Sequence, residues 1–226
     1  MTTRLVLWDI DHTLVDTRGI GQSLFGEAFR AVTGRTMERQ ARPDGSTDQI
    51  IFRETARLHG LTTRHEDFGA FAAALAETHH RRAGELQSAG RALPGAEAAL
   101  SALSRTGLRQ SVVTGNIRPA AAVKLTAFGL AQHLDLAIGA YAEDDEDRAS
   151  LVAHALRRAA RTAADAVLVG DTPADVRAGK HQGVRVVAVA TGRSSEQELA
   201  AAGADAVLPD LADTPRVIDL LTQATS

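Results

Sequence analysis

The sequence contains no cysteine and only two lysines, Lys124 and Lys180. The absence of cysteine excludes disulfides, a thiolate nucleophile and a cysteine-ligated zinc site. The formal net charge is −3 and no block of basic residues occurs, which argues against a dedicated nucleic-acid-binding protein. The longest apolar runs have the length of a β-strand and are too short to span a bilayer.

The chain also lacks the pattern of a secretory signal peptide, because Met1 is followed almost at once by a strand-like apolar run. We therefore expect a cytoplasmic protein without a membrane partner. At 226 residues the chain is long enough for one α/β domain that carries an insert. The sequence leaves the oligomeric state open.

The stretch Leu5–Leu14 is an apolar run that stops in two carboxylates, Asp9 and Asp11. Its apolar part predicts a buried parallel strand. Because side chains alternate along an extended chain, both carboxylates point to the same side. Two carboxylates so close together need a cation, a shared proton or open water. The carboxyl ends of strands in open α/β sheets are also where ligands bind.

The residues between this strand and Leu93 have helical patterns only. The spacing of apolar residues predicts a helix over residues 21–32, a second that begins after Ser46 or Thr47 and ends at Gly60, a third over about 66–84, and a short segment to about Gly90. On the third helix, Phe68, Phe71, Ala72, Leu75 and His79 share one side. Because His79 and His80 are adjacent and cannot share a helix face, we interpret them as packing or surface residues.

From Leu93 onward, strand and helix patterns alternate. Strands are predicted over residues 109–113, 134–138, 166–170, 184–190 and 204–208, and helices over 94–104, 119–128, 148–161, 173–181 and 215–224. Such alternation implies right-handed βαβ units and a parallel sheet. The expected fold is an α/β, Rossmann-like parallel sheet core formed by residues 1–15 and 93–226, with an inserted α-helical cap at residues 16–92.

Polar signatures follow three of the predicted strands. Besides Asp9 and Asp11, they are Thr114-Gly115-Asn116 after the second core strand and Asp171 with Asp175 after a later one. In a parallel sheet all three face one crevice. Oxygen ligands without histidine or cysteine suit Mg²⁺, and the Thr114–Asn116 turn suits a phosphate. Together they suggest phosphoryl transfer through an aspartyl intermediate.

The pattern Asp9-x-Asp11-x-Thr13-Leu14, then Val-Thr114-Gly-Asn, then Gly170-Asp171-Thr-x-x-Asp175 resembles the haloacid dehalogenase-like (HAD) hydrolase superfamily, in particular its phosphoglycolate phosphatase-like branch. The resemblance implies that Asp9 is the nucleophile and Asp11 the general acid and base. It also implies that Thr114, Gly115 and Asn116 bind phosphate, that Asp9, the backbone carbonyl of Asp11, and Asp171 bind Mg²⁺, and that Asp175 orders the metal's waters or the basic residue.

The sequence departs from this family at two positions. The family has a lysine after the strand that follows the threonine motif, but that region here, Glu146–Leu151, contains none. Arg148 is the favoured substitute, because it keeps the positive charge and adds a forked donor, and Lys124 is the rival. The second departure is His12, which stands where the family usually has glycine.

The resemblance implies a Mg²⁺-dependent phosphatase that acts on a small phosphorylated metabolite, such as phosphoglycolate, a sugar phosphate or a nucleotide monophosphate. In the cap, Thr47 and Arg18 are candidate substrate contacts. Two alternatives remain: a phosphomutase on the same core, in which the cap excludes water, and a non-catalytic regulatory protein that binds metal or phosphate. A dehalogenase is disfavoured by Asp11, and a phosphonatase by the absence of a cap lysine.

Overall fold

The computed structural model describes residues 5–222, which contain seven strands and ten α-helices. The strands are β1 (Leu5–Trp8), β2 (Val15–Asp16), β3 (Arg91–Ala92), β4 (Arg109–Val112), β5 (Ala166–Gly170), β6 (Arg185–Val189) and β7 (Ala206–Leu208). The helices are α1 (Ile20–Thr33), α2 (Asp48–Leu58), α3 (His65–Arg81), α4 (Ala83–Ala89), α5 (Ala96–Ser104), α6 (Arg118–Ala127), α7 (Arg148–Ala159), α8 (Pro173–His181), α9 (Glu196–Ala201) and α10 (Thr214–Thr222). None of these helices is long and apolar enough to cross a membrane.

Five of the strands form one parallel sheet in the order β4-β1-β5-β6-β7. The predicted α/β fold with a parallel sheet is therefore confirmed. Strand β1 lies between β4 and β5, and Trp8 at its end is in register with Val112 on one side and Val169 on the other. Since parallel strands end at the same edge, the three polar loops that follow these strands start side by side.

The core lies on both faces of this sheet. Along β1, Val6 and Trp8 pack into one hydrophobic cluster, which α5 and α10 cover, and Leu5 and Leu7 pack into the other, which α7 and α8 cover. This alternation explains why the strand is apolar throughout, since both faces of a parallel sheet are buried. Each fully buried aliphatic or aromatic side chain contributes about 1.5–3 kcal/mol, so the loops at the strand ends rest on a rigid support.

Helices α1 to α4 form a separate group of their own, built around phenylalanine. Their cluster contains the five residues Phe25, Phe29, Phe52, Phe68 and Phe71, and the rings of Phe52 and Phe71 stack with centroids 4.4 Å apart. The same cluster includes Ile117 and Ala120 at the start of α6, so the helical group packs on the core beside the Thr114–Asn116 turn.

A short antiparallel ladder connects this helical group to the sheet. It pairs Val15 of β2 with Ala92 of β3 and Asp16 with Arg91. The two segments that link the sheet to the helical group therefore lie side by side. They are at the positions where the sequence suggested that an insert begins and ends. This ladder supports the division into a core and a cap, which we retain as a proposal.

The strand expected at residues 134–138 was wrong, because the structure has turns there. The carboxylate of Asp135 accepts a hydrogen bond from the backbone N–H of Ala137 at 3.1 Å, and such a local bond favours a turn over an extended chain. This region joins the sheet through an isolated bridge between Val113 and Ala140 and through the N–H of Asp135, which donates to the carbonyl of Gln110 in β4 at 2.8 Å. The sequence reasoning also missed β2, β3 and α9. Of the predicted closing helix, residues 223 and 224 lie outside the described residues.

Candidate active site

The three polar loops predicted to share one crevice meet at the carboxyl edge of the sheet. The backbone N–H of Asp9 donates to the carbonyl of Val169 at 2.8 Å, which continues the β1–β5 pairing by one residue. On the other side, the N–H of Val113 donates to the carbonyl of Trp8 at 2.9 Å. Asp9 therefore lies centrally, with the Thr114 loop on one side and Asp171 on the other.

Three buried carboxylates form the centre of this site. One oxygen from each of Asp9, Asp171 and Asp175 lies within 4.8 Å of the others. Burial raises the pKa of Asp171 to about 9, with further contributions from the charges of Asp9 and Asp175. Burial likewise raises the pKa of Asp9 to about 7, although the guanidinium of Arg148 lowers it. At neutral pH these carboxylates are therefore not all ionised unless further positive charge is added.

The chemistry of these donors fits a hard divalent cation such as Mg²⁺. All three are oxygen donors without a nearby histidine or cysteine, and a cation would relieve the repulsion that raises their pKa values. Gly192 makes room for the carboxylate of Asp171 because it has no side chain. A Cβ at this position would lie 1.8 Å from Oδ2 of Asp171. The carboxylate of Asp11 is not part of this group.

Arg148 contacts two of the three carboxylates. Its Nη2 donates to Oδ1 of Asp9 at 2.6 Å, and its Nε donates to Oδ1 of Asp175 at 2.6 Å. Asp147 positions it, because the Asp147 carboxylate caps α7 by accepting from the N–H of Ser150 at 2.9 Å. Burial would lower the pKa of Arg148, but these two carboxylates raise it above its ordinary value.

Asp175 is held from both sides. One of its oxygens accepts from Arg148, and the other accepts from the N–H of Thr172 at 3.1 Å and from its hydroxyl at 2.7 Å. The pair forms a capping box at the start of α8. Through Arg148, Asp175 contacts the basic residue of the site, and its role in ordering that residue or the metal's waters stays a prediction.

Lys124 lies against Asp11 rather than Asp9. Its Nζ donates to both oxygens of the Asp11 carboxylate, at 2.8 and 2.7 Å, and to Oδ1 of Asn116 at 2.6 Å. Burial would raise the pKa of Asp11, but Lys124 and Asn116 outweigh it and hold this pKa below its ordinary value. Lys124 is buried and is not a solvent-facing helix residue.

The Thr114–Asn116 turn presents a hydroxyl that is already oriented. Oγ1 of Thr114 accepts from the side-chain amide of Asn116 at 2.7 Å and from its backbone N–H at 3.3 Å. With both lone pairs engaged, the hydroxyl hydrogen of Thr114 is available for an anionic oxygen. Gly115 lies beneath the cap, where a Cβ would come within 2.2 Å of the carbonyl oxygen of Ser46.

A cavity of about 450 Å³ lies between these loops and the helical group. Arg18 lines it, as predicted for a cap residue that could reach substrate, with a half-exposed side chain beside Asp16. Thr47 does not line it, because its hydroxyl accepts from the N–H of Ile50 and caps α2. Its neighbours Ser46 and Asp48 line the cavity instead of Thr47.

Two buried residues of the cavity wall were missed by the sequence reasoning. Asp48 accepts from the N–H of Ile117 at 2.8 Å, and burial raises its pKa to about 7, although Lys124 lowers it. His79 was interpreted only as a packing or surface residue, and it is indeed buried, but it also lines the cavity. His79 follows Leu75 by four residues, and positions i and i+4 share a helix face. This spacing indicated from the sequence that both side chains lie on the same side of α3.

Two departures from the family pattern can now be located. His12 has a positive φ of 59° at the position where glycine is usual, and it lines the cavity. Its carbonyl accepts from the hydroxyl of Thr191, which helps to hold the turn. Arg148, the predicted substitute for the missing lysine, contacts Asp9.

A sequence-family model described as haloacid dehalogenase-like hydrolase matches residues 6–189. The chain belongs to the haloacid dehalogenase-like hydrolase family. This membership confirms the resemblance on which the site assignments were based, and it confirms the expectation of an enzyme.

Individual relatives of this haloacid dehalogenase-like hydrolase agree with that assignment. The chain is 35% identical to a plasmid-encoded phosphoglycolate phosphatase of Cupriavidus necator over 94% of this chain and 92% of that protein. It is 30% identical to a phosphoglycolate phosphatase of Rhodospirillum rubrum over 92% of this chain and 88% of that one. A hydrolase from Pseudomonas syringae has a similar structure, with a TM-score of 0.73 at 21% identity, covering 98% of this chain and all of that chain. That likeness supports the fold alone.

Proposed function

We propose that this haloacid dehalogenase-like hydrolase is a Mg²⁺-dependent phosphatase of small phosphomonoesters that works through an aspartyl-phosphate on Asp9. The observation that carries the proposal is the position of the Asp9 carboxylate. It lies between Asp171, which could share a cation with it, and the Thr114 turn, which could bind the oxygens of the phosphoryl group that Asp9 accepts. The two relatives named as phosphoglycolate phosphatases support the reaction class.

Asp9 is the proposed nucleophile. A carboxylate is a weak nucleophile and repels an anionic phosphate, so its surroundings must supply positive charge. Arg148 supplies part of that charge at 2.6 Å and orients the carboxylate. Asp9, Asp171 and the backbone carbonyl of Asp11 would hold Mg²⁺, which offsets the charge of the phosphoryl oxygens when bound.

Thr114 and the backbone N–H groups of Gly115 and Asn116 would hold the transferring phosphoryl group. The free hydroxyl hydrogen of Thr114 supports this role, because its oxygen is already fixed by Asn116. Such preorganised donors stabilise charge in a transition state without having to reorient during the reaction.

Asp11 is the proposed general acid and base. It would protonate the leaving oxygen and then accept a proton from the water that attacks the aspartyl-phosphate. The structure bears most directly on the second role, since Lys124 keeps Asp11 anionic and able to accept a proton. General acid–base assistance of this kind typically contributes about 10²–10⁴-fold in rate.

The helical group would act as the cap that covers the site. Phosphoglycolate is a candidate substrate because both named relatives act on it, and sugar phosphates and nucleotide monophosphates remain candidates as well. A phosphomutase would use the same core while the cap excludes water. A regulatory protein that binds metal or phosphate without turnover would need to retain the Asp9, Asp11, Thr114 and Asp171 set for another purpose.

The test is phosphate release from a panel of phosphomonoesters, with Mg²⁺ and with EDTA, by the wild type and by Asp9→Asn. We expect release that needs both Mg²⁺ and Asp9. Asp219→Asn, an exposed carboxylate on α10, is the matched control and should retain full activity. Full activity of Asp9→Asn would refute the assigned nucleophile. Isomerised phosphate esters without phosphate release would identify a mutase.

A further inference from the structure

His79 carries an unpaired nitrogen into the wall of the active-site cavity. The side chain belongs to α3 and is only 3% exposed, yet it lines the cavity that also contains Asp9 and Thr114. Its Nε2 has no hydrogen-bond partner within residues 5–222. A buried polar atom without a partner destabilises the folded protein, so it calls for an explanation.

The other ring nitrogen decides which proton His79 carries. Its Nδ1 lies 2.9 Å from the carbonyl oxygen of Leu75, and because a carbonyl can only accept, Nδ1 bears the hydrogen. Burial and the nearby charge of Lys124 lower the pKa of His79 to about 4. At neutral pH the ring is therefore uncharged, and Nε2 is a hydrogen-bond acceptor.

The neighbouring side chains do not supply the missing donor. The cavity that His79 lines also has the apolar residues Phe25, Ile51 and Leu75 in its wall. The charge of Lys124 lowers the pKa of His79, but the ammonium group of Lys124 does not donate to the ring. Its three hydrogens are directed to Asp11 and Asn116. Because His79 lines the cavity, a molecule bound there is the remaining source of a donor for Nε2.

The location of His79 indicates which part of that molecule it meets. The loops of the sheet supply the groups suited to a phosphate, whereas His79 belongs to α3 of the helical group and also lines the cavity. A phosphomonoester with its phosphate at Thr114 would direct its organic part toward α3.

We propose that His79 contacts the leaving group of the substrate and accepts a hydrogen bond from one of its hydroxyl groups. This inference rests on the proposed phosphatase function and makes it more specific. It names hydroxylated phosphomonoesters, such as polyol or sugar phosphates, as the substrate class. A carboxylate at the same point would bring oxygen lone pairs against the lone pair of Nε2, which is unfavourable.

The test compares two matched pairs of esters, 2-hydroxyethyl phosphate with ethyl phosphate, and glycerol 1-phosphate with propyl phosphate. We expect the wild type to prefer the hydroxylated member of at least one pair by about tenfold or more in kcat/KM, because an unpaired buried acceptor penalises the analogue that lacks the donor. His79→Phe keeps a ring of similar size without an acceptor and should abolish this preference. His79→Gln restores an acceptor and should recover part of it.

His80→Phe is the matched control, since this neighbour on α3 is exposed, and it should retain the preference. A wild type without preference, or an equal loss by His79→Phe on both members of each pair, would overturn the proposal. Phosphoglycolate is included in the same assays, and a preference for it over glycerol 1-phosphate that depends on His79 would contradict the stated class.

A second measurement separates this proposal from the proposed function. In the Asp9→Asn background, the ¹⁵N resonance of His79 Nε2 is followed while 2-hydroxyethyl phosphate or ethyl phosphate is added. We expect a shift with the hydroxylated ester only, and a shift with neither ester, or an equal shift with both, would contradict it. If the wild type hydrolyses no ester, the phosphatase proposal fails, while this titration still decides whether His79 accepts a hydrogen bond from the ligand.

Discussion

Two buried cations contact different acidic groups of the site. Arg148 contacts Asp9 and Asp175, whereas Lys124 contacts Asp11. Sequence reasoning treated the two cations as rivals for one role. The structure gives each its own partner, so the carboxylate proposed to attack phosphorus and the one proposed to move protons are oriented by different helices. This arrangement supports Arg148 as the substitute for the missing family lysine.

Replacing Arg148 tests that assignment. Arg148→Met removes the charge and leaves Asp9 and Asp175 buried without a cation, so we expect a loss of about 3–5 kcal/mol in the free energy of unfolding and a loss of activity of at least about 100-fold. Arg148→Lys keeps the charge and should be more stable and more active than Arg148→Met. Urea unfolding and steady-state kinetics of the three proteins measure both effects. Wild-type activity in Arg148→Met would contradict the assigned role.

Asp48 predicts a specific pH dependence of stability. Its pKa is raised from 3.8 to about 7 in the folded protein, so between these values the folded state holds a proton that the unfolded state has lost. Stability therefore falls as pH rises through this window, by at most about 1.4 kcal/mol for each pH unit. Asp48→Asn keeps an oxygen for the N–H of Ile117 and removes the titration, so it should gain stability over the wild type as pH rises from 5 to 8.

The measurement is urea unfolding of the wild type and Asp48→Asn at several pH values. Asp219→Asn, whose carboxylate is exposed, provides the control and should leave the pH profile unchanged. A difference between Asp48→Asn and the wild type that stays constant from pH 5 to pH 8 would show that Asp48 does not titrate in this window.

At the scale of elements, the start of α2 docks directly on the phosphate-binding turn. The backbone N–H of Asp48 donates to the carbonyl of Gly115 at 2.7 Å. Gly115 permits this approach only because it has no side chain, since a Cβ would lie 2.2 Å from the carbonyl oxygen of Ser46. The contact couples the position of the cap to the loop that is proposed to hold phosphate.

Gly115→Ala should therefore displace the start of α2 and loosen the cap. The collision is with backbone, which cannot rotate away, so we expect a rise in KM and a fall in kcat/KM of at least about tenfold. Gly69→Ala is the matched control in α3, where the site is exposed and a Cβ would meet nothing within 4 Å. This control should keep full activity and gain about 0.5–1 kcal/mol, because alanine favours a helix over glycine. Unchanged kinetics in Gly115→Ala would show that the contact does not control the site.

Most elements could be predicted because their signals are local. The strand at Ala166–Gly170 and the helix at Pro173–His181 occur where apolar spacing and helix caps indicated them. The strand expected at residues 134–138 failed because a short apolar run does not reveal whether a partner strand is available. The hydrogen bond from the N–H of Ala137 to the carboxylate of Asp135 favours a turn there. The two-residue strands β2 and β3 exist only as a pair, so neither has a pattern of its own.

At the scale of the whole molecule, the insert and the sheet are connected by charge pairs as well as by the phenylalanine cluster. Arg53 of α2 donates to Glu146 before α7 at 2.6 Å, and Arg193 reaches Asp44 at 3.3 Å. These pairs are partly exposed, and exposed pairs typically contribute only about 0–1 kcal/mol each. Apolar packing of the insert on α6 is therefore the larger contribution to holding the two parts together.

The carboxylate centre leads us to expect that divalent cations stabilise the molecule. Mg²⁺ bound at Asp9 and Asp171 would stabilise the folded state by about 2.7 kcal/mol at a free concentration of 100 times its Kd. We expect Mg²⁺ to raise the Tm of the wild type relative to EDTA, whereas NaCl at equal ionic strength should not. Asp171→Asn should lose this response while its Tm in EDTA equals or exceeds that of the wild type, because it removes a buried carboxyl whose ionisation is opposed by burial and by Asp9 and Asp175. An equal response to Mg²⁺ in Asp171→Asn would place the cation elsewhere.

The sequence by itself determined the parallel sheet, the run of helices that follows the first strand, and the presence of carboxylates and a threonine turn at three strand ends. These features follow from apolar periodicity and from the rule that parallel strands end at one edge, both of which a linear sequence records. Only the tertiary structure decided that Arg148 meets Asp9, that Lys124 meets Asp11, and that His79 faces the cavity. Long side chains reach partners on other helices, and which partner they meet depends on how those helices pack, which no local pattern encodes.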